Sequence, residues 1–208
     1  MSAPPSLWIA GDPLILASKS AGRQRLLASA GVPFEVDPAD VDERALEEAH
    51  FARGEPSEAL ARTLARAKAL QVSARRPGAL CLGADQILTL DGRMLHKSAT
   101  PEAAARALAA LSGRVHRLTS AFALARDGGV VGEGEDSAEL TMRALDARRI
   151  ALYLACAGPG ALASVGVYQL EGLGAHLFDK IEGDYTTIVG LPMLKVLACL
   201  RREGMLAL

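Results

Sequence analysis

Hydrophobic residues along this chain form short uninterrupted runs that alternate with stripes at helical spacing. The apolar run at residues 14–17 predicts a buried strand, and Leu26 and Leu27 begin the stripe of a helix that closes at Gly31. Between them lies the polar loop at residues 18–20. The chain is therefore predicted to open with a strand, a polar loop and a helix.

The same alternation continues through the next third of the chain. A second strand is predicted at residues 34–36, and a long helix with an apolar face is predicted from residue 57 to residue 74. The apolar run at residues 80–84 predicts a third strand, with Asp85 at its end. Residues 37–55 are acidic and bounded by prolines, and no element is predicted there.

Turn and capping residues mark the later elements. A proline after a capping hydroxyl, an aspartate before an apolar stripe, and Asp-Gly pairs between strand-like runs each have a defined local geometry. They predict a turn at Asp91-Gly92, a helix from Thr100 to Gly113, a hairpin of residues 115–125 and 130–142, a helix capped by Asp146, a strand near residues 175–181 and a last helix opened by Pro192. Strands and helices in this order predict an α/β or α+β fold with a mixed sheet.

Length and composition favour one globular domain over residues 1–208, with residues 1–12 as an N-terminal extension. Half of the residues are apolar, which is enough for one sizeable core. The first twelve residues lack a basic segment followed by a long apolar stretch, so no secretory signal is predicted. No run of about 18 apolar residues occurs, and no membrane span is expected.

The overall charge disfavours binding to nucleic acids. Lysine and arginine number 23 against 24 aspartate and glutamate, which gives a formal net charge of -1, and aromatic residues make up only 4%. Nucleic-acid binding usually requires a basic groove and stacking side chains. Any site for an anionic ligand must therefore be local.

Cysteine and histidine usage predicts neither a disulfide framework nor a zinc site. Cys81, Cys156 and Cys199 are far apart and show no C-x-x-C spacing, and the four histidines have no paired ligand spacing. These features favour a reducing compartment, and a cytoplasmic location is predicted.

The loop between the first strand and the first helix is a candidate anion site. Backbone N–H groups at a helix start favour negative charge, the hydroxyls of Ser18 and Ser20 can donate to phosphate oxygens, and Arg23 can bind them in a fork. The alternative is a capped surface helix with a solvated basic first turn. The P-loop spacing G-x-x-x-x-G-K-[ST] is absent, which disfavours an ordinary ATPase or kinase.

A second group of charged residues surrounds the predicted end of the third strand. Asp85 and Glu43 offer the oxygen ligands that hard divalent cations prefer, and Lys68 and Lys97 offer positive charge. Taken one at a time, each residue is more often a solvated surface side chain.

Six segments match, in order, the motifs of one known family. They are L-I-L-A-S-K-S at 14–20, D-E at 42–43, A-K-A at 67–69, G-A-D at 83–85, L-S-G-R-V-H at 111–116, and E-G-D-Y at 182–185 with V-G-L-P at 189–192. In these segments the chain resembles the Maf family of nucleotide pyrophosphatases, over residues 14–192.

The resemblance implies a Maf/ITPase-like fold in which a twisted mixed sheet flanked by helices forms two lobes with a central cleft. It also implies a divalent metal cation, Mg²⁺ or Mn²⁺, and a homodimer. The reaction implied is hydrolysis of nucleoside triphosphates between the α and β phosphates. The residues implied are Asp85 as proton acceptor, Glu43 as its partner carboxylate, both as metal ligands, and Ser18, Ser20, Arg23, Lys68 and Lys97 as substrate-binding groups.

Three positions bear on which nucleobase the protein prefers in its substrate. Gln86 and Glu171 are similar to the branch of the family that acts on 7-methyl-GTP, whereas Gly22 stands where that branch has a tryptophan. A carboxylate can accept the adjacent N–H donors of guanine, which points in the same direction. The alternatives are a pyrophosphatase of the dTTP/UTP type and a catalytically silent, nucleotide-binding regulator of cell division.

Overall fold

The computed structural model describes residues 6–208, and in that part of the chain strands and helices alternate as predicted. The strands are β1 (Leu14–Leu16), β2 (Phe34–Val36), β3 (Cys81–Leu90), β4 (Arg93–Leu95), β5 (Val115–Arg126), β6 (Gly129–Met142) and β7 (Phe178–Glu182). The α-helices are α1 (Ala21–Ser29), α2 (Glu43–Ala52), α3 (Leu60–Arg75), α4 (Pro101–Leu111), α5 (Ala147–Ala157), α6 (Tyr185–Val189) and α7 (Met193–Arg202).

All seven strands belong to one mixed sheet. Its order is β2-β1-β3-β5-β6-β7, and β4 pairs with β3 outside this path. Strand β1 runs parallel to β2 and β3, whereas β4 is antiparallel to β3 and β7 is antiparallel to β6. The predicted α/β class, a mixed sheet flanked by helices, is confirmed.

A two-residue turn joins the two strands of each hairpin. Asp91 and Gly92 connect β3 to β4 with φ of 49° and 73°, and Asp127 and Gly128 connect β5 to β6 with φ of 50° and 77°. Two consecutive positive φ angles match the twist of the strands that they join. Both turns lie where the Asp-Gly pairs predicted them.

The described residues form two compact units with separate cores. The first comprises the described residues up to Gln86 together with Ser120–Asp136 and Gly190–Leu208, and the second comprises Ile87–Thr119 and Ser137–Val189. Fully buried side chains in the first include Leu14, Leu82 and Phe122, and those in the second include Leu108, Leu118 and Leu140. Across residues 6–208, none of the helices has the length and apolar character needed to cross a bilayer.

Part of the predicted N-terminal extension packs onto the first unit. Residues 1–5 of that extension lie outside the described residues. Trp8 is 9% exposed and belongs to the core of the first unit, and the Ile9 amide donates to the Met205 carbonyl at 3.0 Å. The two ends of the described chain are therefore held together by Trp8 and its neighbours.

Two local predictions differ from the structure. Strand β3 does not end at Asp85 but runs on to Leu90, because residues 87–90 are apolar or β-branched and pair with β4 from Leu88 onward. Helix α2 lies in residues 37–55, where no element was predicted. Only His50 of this helix is buried, and its start is set by the Asp42 cap, a local signal that the acidic composition of this stretch concealed.

Candidate active site

A glycine in β3 allows helix α3 to approach the strand closely. A Cβ atom at Gly83 would lie 2.2 Å from the Ala65 carbonyl oxygen and 2.5 Å from the Ala69 amide nitrogen, both in α3. No side chain larger than hydrogen fits in that gap. Because Lys68 is on the same helix and Asp85 follows two residues after Gly83, this packing brings lysine and carboxylate together.

The cap of helix α2 presents Glu43 to the same place. Asp42 is the N-cap, and its Oδ1 accepts a hydrogen bond from the Ala45 amide at 2.9 Å. Glu43 is the first residue of the helix, where a carboxylate is favoured by the helix dipole. The matched D-E pair therefore consists of one capping residue and one candidate site residue.

Lys68 contacts both carboxylates. Its Nζ lies 2.7 Å from Oε1 of Glu43 and 2.5 Å from Oδ1 of Asp85. The side chains of Lys68 and Asp85 are 12% and 13% exposed, whereas that of Glu43 is 58% exposed. The first unit thus holds three predicted site residues in direct contact, with Glu43 on the solvent side.

Arg23 links the loop at residues 18–20, called here the serine loop, to the peptide that precedes Asp85. Ser20 is the N-cap of α1, and its hydroxyl accepts the Arg23 amide at 3.5 Å. The Ser18 Oγ accepts from the Ser20 amide at 3.3 Å and from Arg23 Nη1 at 3.0 Å. Since the Ser18 oxygen acts as acceptor in both bonds, its hydroxyl proton remains available for donation.

Arg23 is buried in the first unit but stays near negative charge. Its Nη1 donates to the Ala84 carbonyl at 2.8 Å, and its Nε donates to the Gly190 carbonyl at 2.9 Å. Burial lowers the pKa of the Arg23 guanidinium, while the charges of Asp85 and Glu43 act to raise it. An arginine side chain keeps its proton in proteins, so Arg23 contributes a buried positive charge.

The carboxylates of Glu43 and Asp85 are of the kind that would hold a divalent metal together with substrate phosphates. Among residues 6–208, no three histidine, cysteine, aspartate or glutamate side chains form a group that could hold a metal ion. Glu43 and Asp85 supply two carboxylates around one shared lysine. Magnesium in nucleotide sites is commonly held by one or two carboxylates plus substrate phosphates, and this pair matches that pattern.

The other predicted site residues are distributed over both units. Gly22 is the second residue of α1, and Gln86 donates from Nε2 to Ser120 Oγ at 3.0 Å, all within the first unit. Lys97 and Glu171 are exposed residues of the second unit, in the loop after β4 and in the glycine-rich segment after α5. Their roles toward a substrate remain predictions.

Several residues of the matched motifs shape the second unit. Asp184 Oδ1 accepts the amides of Thr186 and Thr187 at 2.8 and 3.1 Å, which caps α6. His116 Nε2 lies 2.7 Å from the Tyr168 hydroxyl, and burial lowers the pKa of His116 to about 4. His116 is therefore neutral near pH 7, and its Nε2 forms a hydrogen bond with the Tyr168 hydroxyl.

The main-chain carbonyls that accept hydrogen bonds from Arg23 could not be predicted from the types of side chain in the sequence. The carbonyls of Ala84 and Gly190 hold Arg23, and neither residue was a candidate. The available signal was their presence in matched motifs, G-A-D and V-G-L-P. Every residue has a carbonyl, so only the fold reveals which ones are used.

Comparison with known proteins identifies the family of this chain. The chain is 54% identical over 193 residues to the 7-methyl-GTP pyrophosphatase of Mesorhizobium japonicum, covering 93% of this chain and 97% of that protein. It is 50% identical over 205 residues to a nucleoside triphosphate pyrophosphatase of Nitrobacter winogradskyi, covering 98% of this chain and all of that protein. The 7-methyl-GTP pyrophosphatase of Brucella abortus is 50% identical over 190 residues, covering 91% of this chain and 96% of that protein. The model of the family described as Maf-like protein matches residues 13–203, and with the shared motifs and these relatives it establishes that the chain belongs to the Maf family.

Proposed function

We propose that this protein hydrolyses nucleoside triphosphates at the α–β phosphoanhydride and releases a nucleoside monophosphate and pyrophosphate. The observation that carries the proposal is the contact of Lys68 with both Glu43 and Asp85, joined to the serine loop by Arg23. The names of the relatives support the same reaction class.

In this reaction Asp85 accepts the proton of the attacking water. Lys68 occupies Oδ1 of Asp85, which leaves the second carboxylate oxygen as an acceptor. Lys68 also fixes the direction of the carboxylate, and a well-oriented base contributes roughly 10²- to 10⁴-fold to such a step. Glu43, on the solvent side of Lys68, helps to orient the attacking water or to hold the metal ion.

Positive charge and hydroxyl donors bind the triphosphate. This binding is assigned to the Ser18 hydroxyl, the Ser20 segment at the start of α1, and the charges of Arg23, Lys68 and Lys97. The formal charges of Arg23 and Lys68 are already offset by Asp85 and Glu43. A triphosphate carrying several negative charges therefore needs further cations, which Lys97 and a metal would supply.

The cofactor proposed is Mg²⁺ or Mn²⁺, held by Glu43 and Asp85 together with substrate oxygens. When bound, such an ion neutralises charge that develops on the phosphates. Binding of Mn²⁺ alone, followed by calorimetry, is expected to be weak, and binding with a non-hydrolysable triphosphate is expected to be much tighter. Equal affinity in both cases would contradict recruitment of the ion with the nucleotide.

The nucleobase that we propose for the substrate is guanine or a methylated purine such as that of 7-methyl-GTP. Glu171 can accept two adjacent N–H donors, Gln86 matches the same branch of the family, and two of the relatives described above carry the name 7-methyl-GTP pyrophosphatase. Gly22 offers no stacking surface in place of the tryptophan of that branch. The dTTP/UTP-type enzyme is the alternative outcome.

We also expect a cytoplasmic homodimer that acts on free nucleotides and binds neither nucleic acid nor membrane. The near-balanced charge supports the expectation on nucleic acids. Sedimentation of the purified protein tests the dimer, and a salt titration with oligonucleotides tests the absence of nucleic-acid binding.

The reaction is tested by incubating the protein with canonical triphosphates and 7-methyl-GTP in the presence of Mg²⁺ or Mn²⁺. Attack at the α phosphorus in ¹⁸O-water is expected to place the label in the monophosphate and to leave the pyrophosphate unlabelled. Release of orthophosphate without pyrophosphate would overturn the proposed bond. Tight nucleotide binding with no turnover for any substrate would favour the silent regulator instead.

A further inference from the structure

The guanidinium of Arg23 is enclosed by protein acceptors. The residue is 9% exposed, and its Nε and Nη1 donate to Gly190 O, Ala84 O and Ser18 Oγ at distances between 2.8 and 3.0 Å. Ala84, Gly190 and Ser18 are themselves buried. Two of the three guanidinium nitrogens are therefore committed to the protein.

These bonds join three segments that are distant in sequence. The Ala84 carbonyl belongs to the peptide that leads into Asp85, so its bond to Arg23 fixes the backbone immediately before the proposed base. The bond to Ser18 Oγ leaves the hydroxyl proton of that serine to be donated outward. Loss of the guanidinium would leave buried carbonyls without a partner, which is costly.

Gly190 provides the third anchor through its backbone. Its φ of +120° is a conformation that side chains with a Cβ rarely adopt, and a Cβ there would lie 3.6 Å from Arg23 Nε. Gly190 is part of the matched V-G-L-P segment. That segment thus reaches the site by holding Arg23, without any side chain of its own at Gly190.

We propose that Arg23 is a positioning residue and that Gly190 is its anchor. Together they set Asp85 and the Ser18 hydroxyl in their working positions. This inference rests on the proposed pyrophosphatase function, and it differs from the predicted fork between Arg23 and phosphate. A positioning residue affects the rate of the bound complex, whereas a phosphate ligand affects the affinity for the nucleotide.

The test compares Arg23→Lys and Gly190→Ala with Arg25→Lys, a matched change at an exposed position of the same helix. Because small misplacements of reacting groups cost about 10²-fold in rate, kcat is expected to fall by about 10- to 100-fold in the first two variants. KM is expected to change by less than about threefold, since both variants keep a positive charge at residue 23 and leave most of the groups assigned to triphosphate binding, Lys68 and Lys97 among them, unchanged. Arg25→Lys is expected to behave as the parent.

Arg23→Ala provides a second readout, because guanidinium at a non-denaturing concentration can enter the space left by the side chain. We expect it to restore part of kcat in Arg23→Ala and to leave Gly190→Ala unchanged. A rise in KM of tenfold or more with kcat retained would overturn the proposal and assign Arg23 to phosphate binding.

Hydrogen exchange separates failure of this inference from failure of the proposed function. If the parent protein does not release pyrophosphate, the function fails, but the anchoring can still be measured. Faster exchange at residues 81–90 and 13–20 in Arg23→Ala, reversed by guanidinium, is the expected result. Unchanged exchange in those segments would overturn the inference whatever the turnover.

Discussion

At the scale of single residues, the candidate site is governed by one lysine shared between two carboxylates. Lys68 lies within 2.7 Å of Glu43 and within 2.5 Å of Asp85, and both Lys68 and Asp85 are largely shielded from water. A shielded ion pair is costly to break from one side, because the remaining charge loses its partner. Substitutions that keep the shape and hydrogen bonds of this group are therefore the informative ones.

Asp85→Asn keeps the shape of the side chain and a carbonyl oxygen for Lys68 but removes the proton acceptor. Turnover is expected to fall at least about 100-fold, the lower range for loss of a general base, while nucleotide affinity is largely kept. Single-turnover rates and calorimetric binding measure the two quantities. Asp91→Asn, in an exposed turn of the second unit, serves as the control. A normal rate in Asp85→Asn would remove Asp85 from the role of base.

Glu171→Gln tests the proposed recognition of the substrate's nucleobase by Glu171. A carboxylate accepts two donors from guanine, whereas an amide presents one donor and one acceptor, which suits uracil and thymine better. The ratio of kcat/KM for guanine triphosphates to that for pyrimidine triphosphates is expected to fall by roughly 10- to 100-fold. Glu102→Gln, also exposed in the second unit, is the matched control. The same ranking of substrates in Glu171→Gln and parent would count against this role.

At the scale of elements, the site depends on the close packing of α3 against β3. Gly83 leaves no room for a Cβ between the strand and the backbone of Ala65 and Ala69. The same contact sets the distance between Lys68, on the helix, and Asp85, on the strand. Packing and chemistry are thus coupled through one glycine.

Gly83→Ala is expected to push α3 away from β3. Overpacking of a close contact against backbone atoms costs about 1–3 kcal/mol of unfolding free energy, and here the helix backbone itself must move. Urea denaturation measures the loss, and turnover is expected to fall in the fraction that remains folded. Gly11→Ala is the control, since a Cβ there meets nothing within 4 Å. Equal stability of the two variants would contradict the coupling.

The elements also show what the sequence can and cannot predict. Both Asp-Gly turns and the capped starts of α4 and α5 were predicted correctly, because their geometry is set by a few adjacent residues. The length of β3 beyond Asp85 was not, because it depends on pairing with β4. Lys68 and Asp85 could be named as candidates from motifs, but their contact depends on Gly83, whose partner is a helix backbone.

At the scale of the whole molecule, the two units have separate cores that contain different buried groups. The only tryptophan, Trp8, is in the core of the first unit, and in the second unit the buried His116 and Tyr168 pack against each other and against the half-buried Phe178. His116 is 2% exposed, and its Nδ1 has no hydrogen-bond partner within the described residues. Protonation of His116 would place a charge in that cluster without compensation, so acid is expected to act first on the second unit.

Burial lowers the pKa of His116 from 6.5 to about 4 in the folded protein. Between these values the unfolded chain binds a proton and the folded chain does not, so stability is lost as pH falls through that window. At pH 5 the expected loss relative to pH 7 is about 2 kcal/mol from this group alone. Hydrogen exchange, corrected for intrinsic rates, should show this loss of stability as reduced protection of the amides in Ile87–Thr119 and Ser137–Val189. His116→Gln, which keeps a hydrogen-bonding group for Tyr168 without titrating, should lack that part of the pH dependence. If variant and parent lose protection equally between pH 7 and pH 5, the acid sensitivity belongs to other groups.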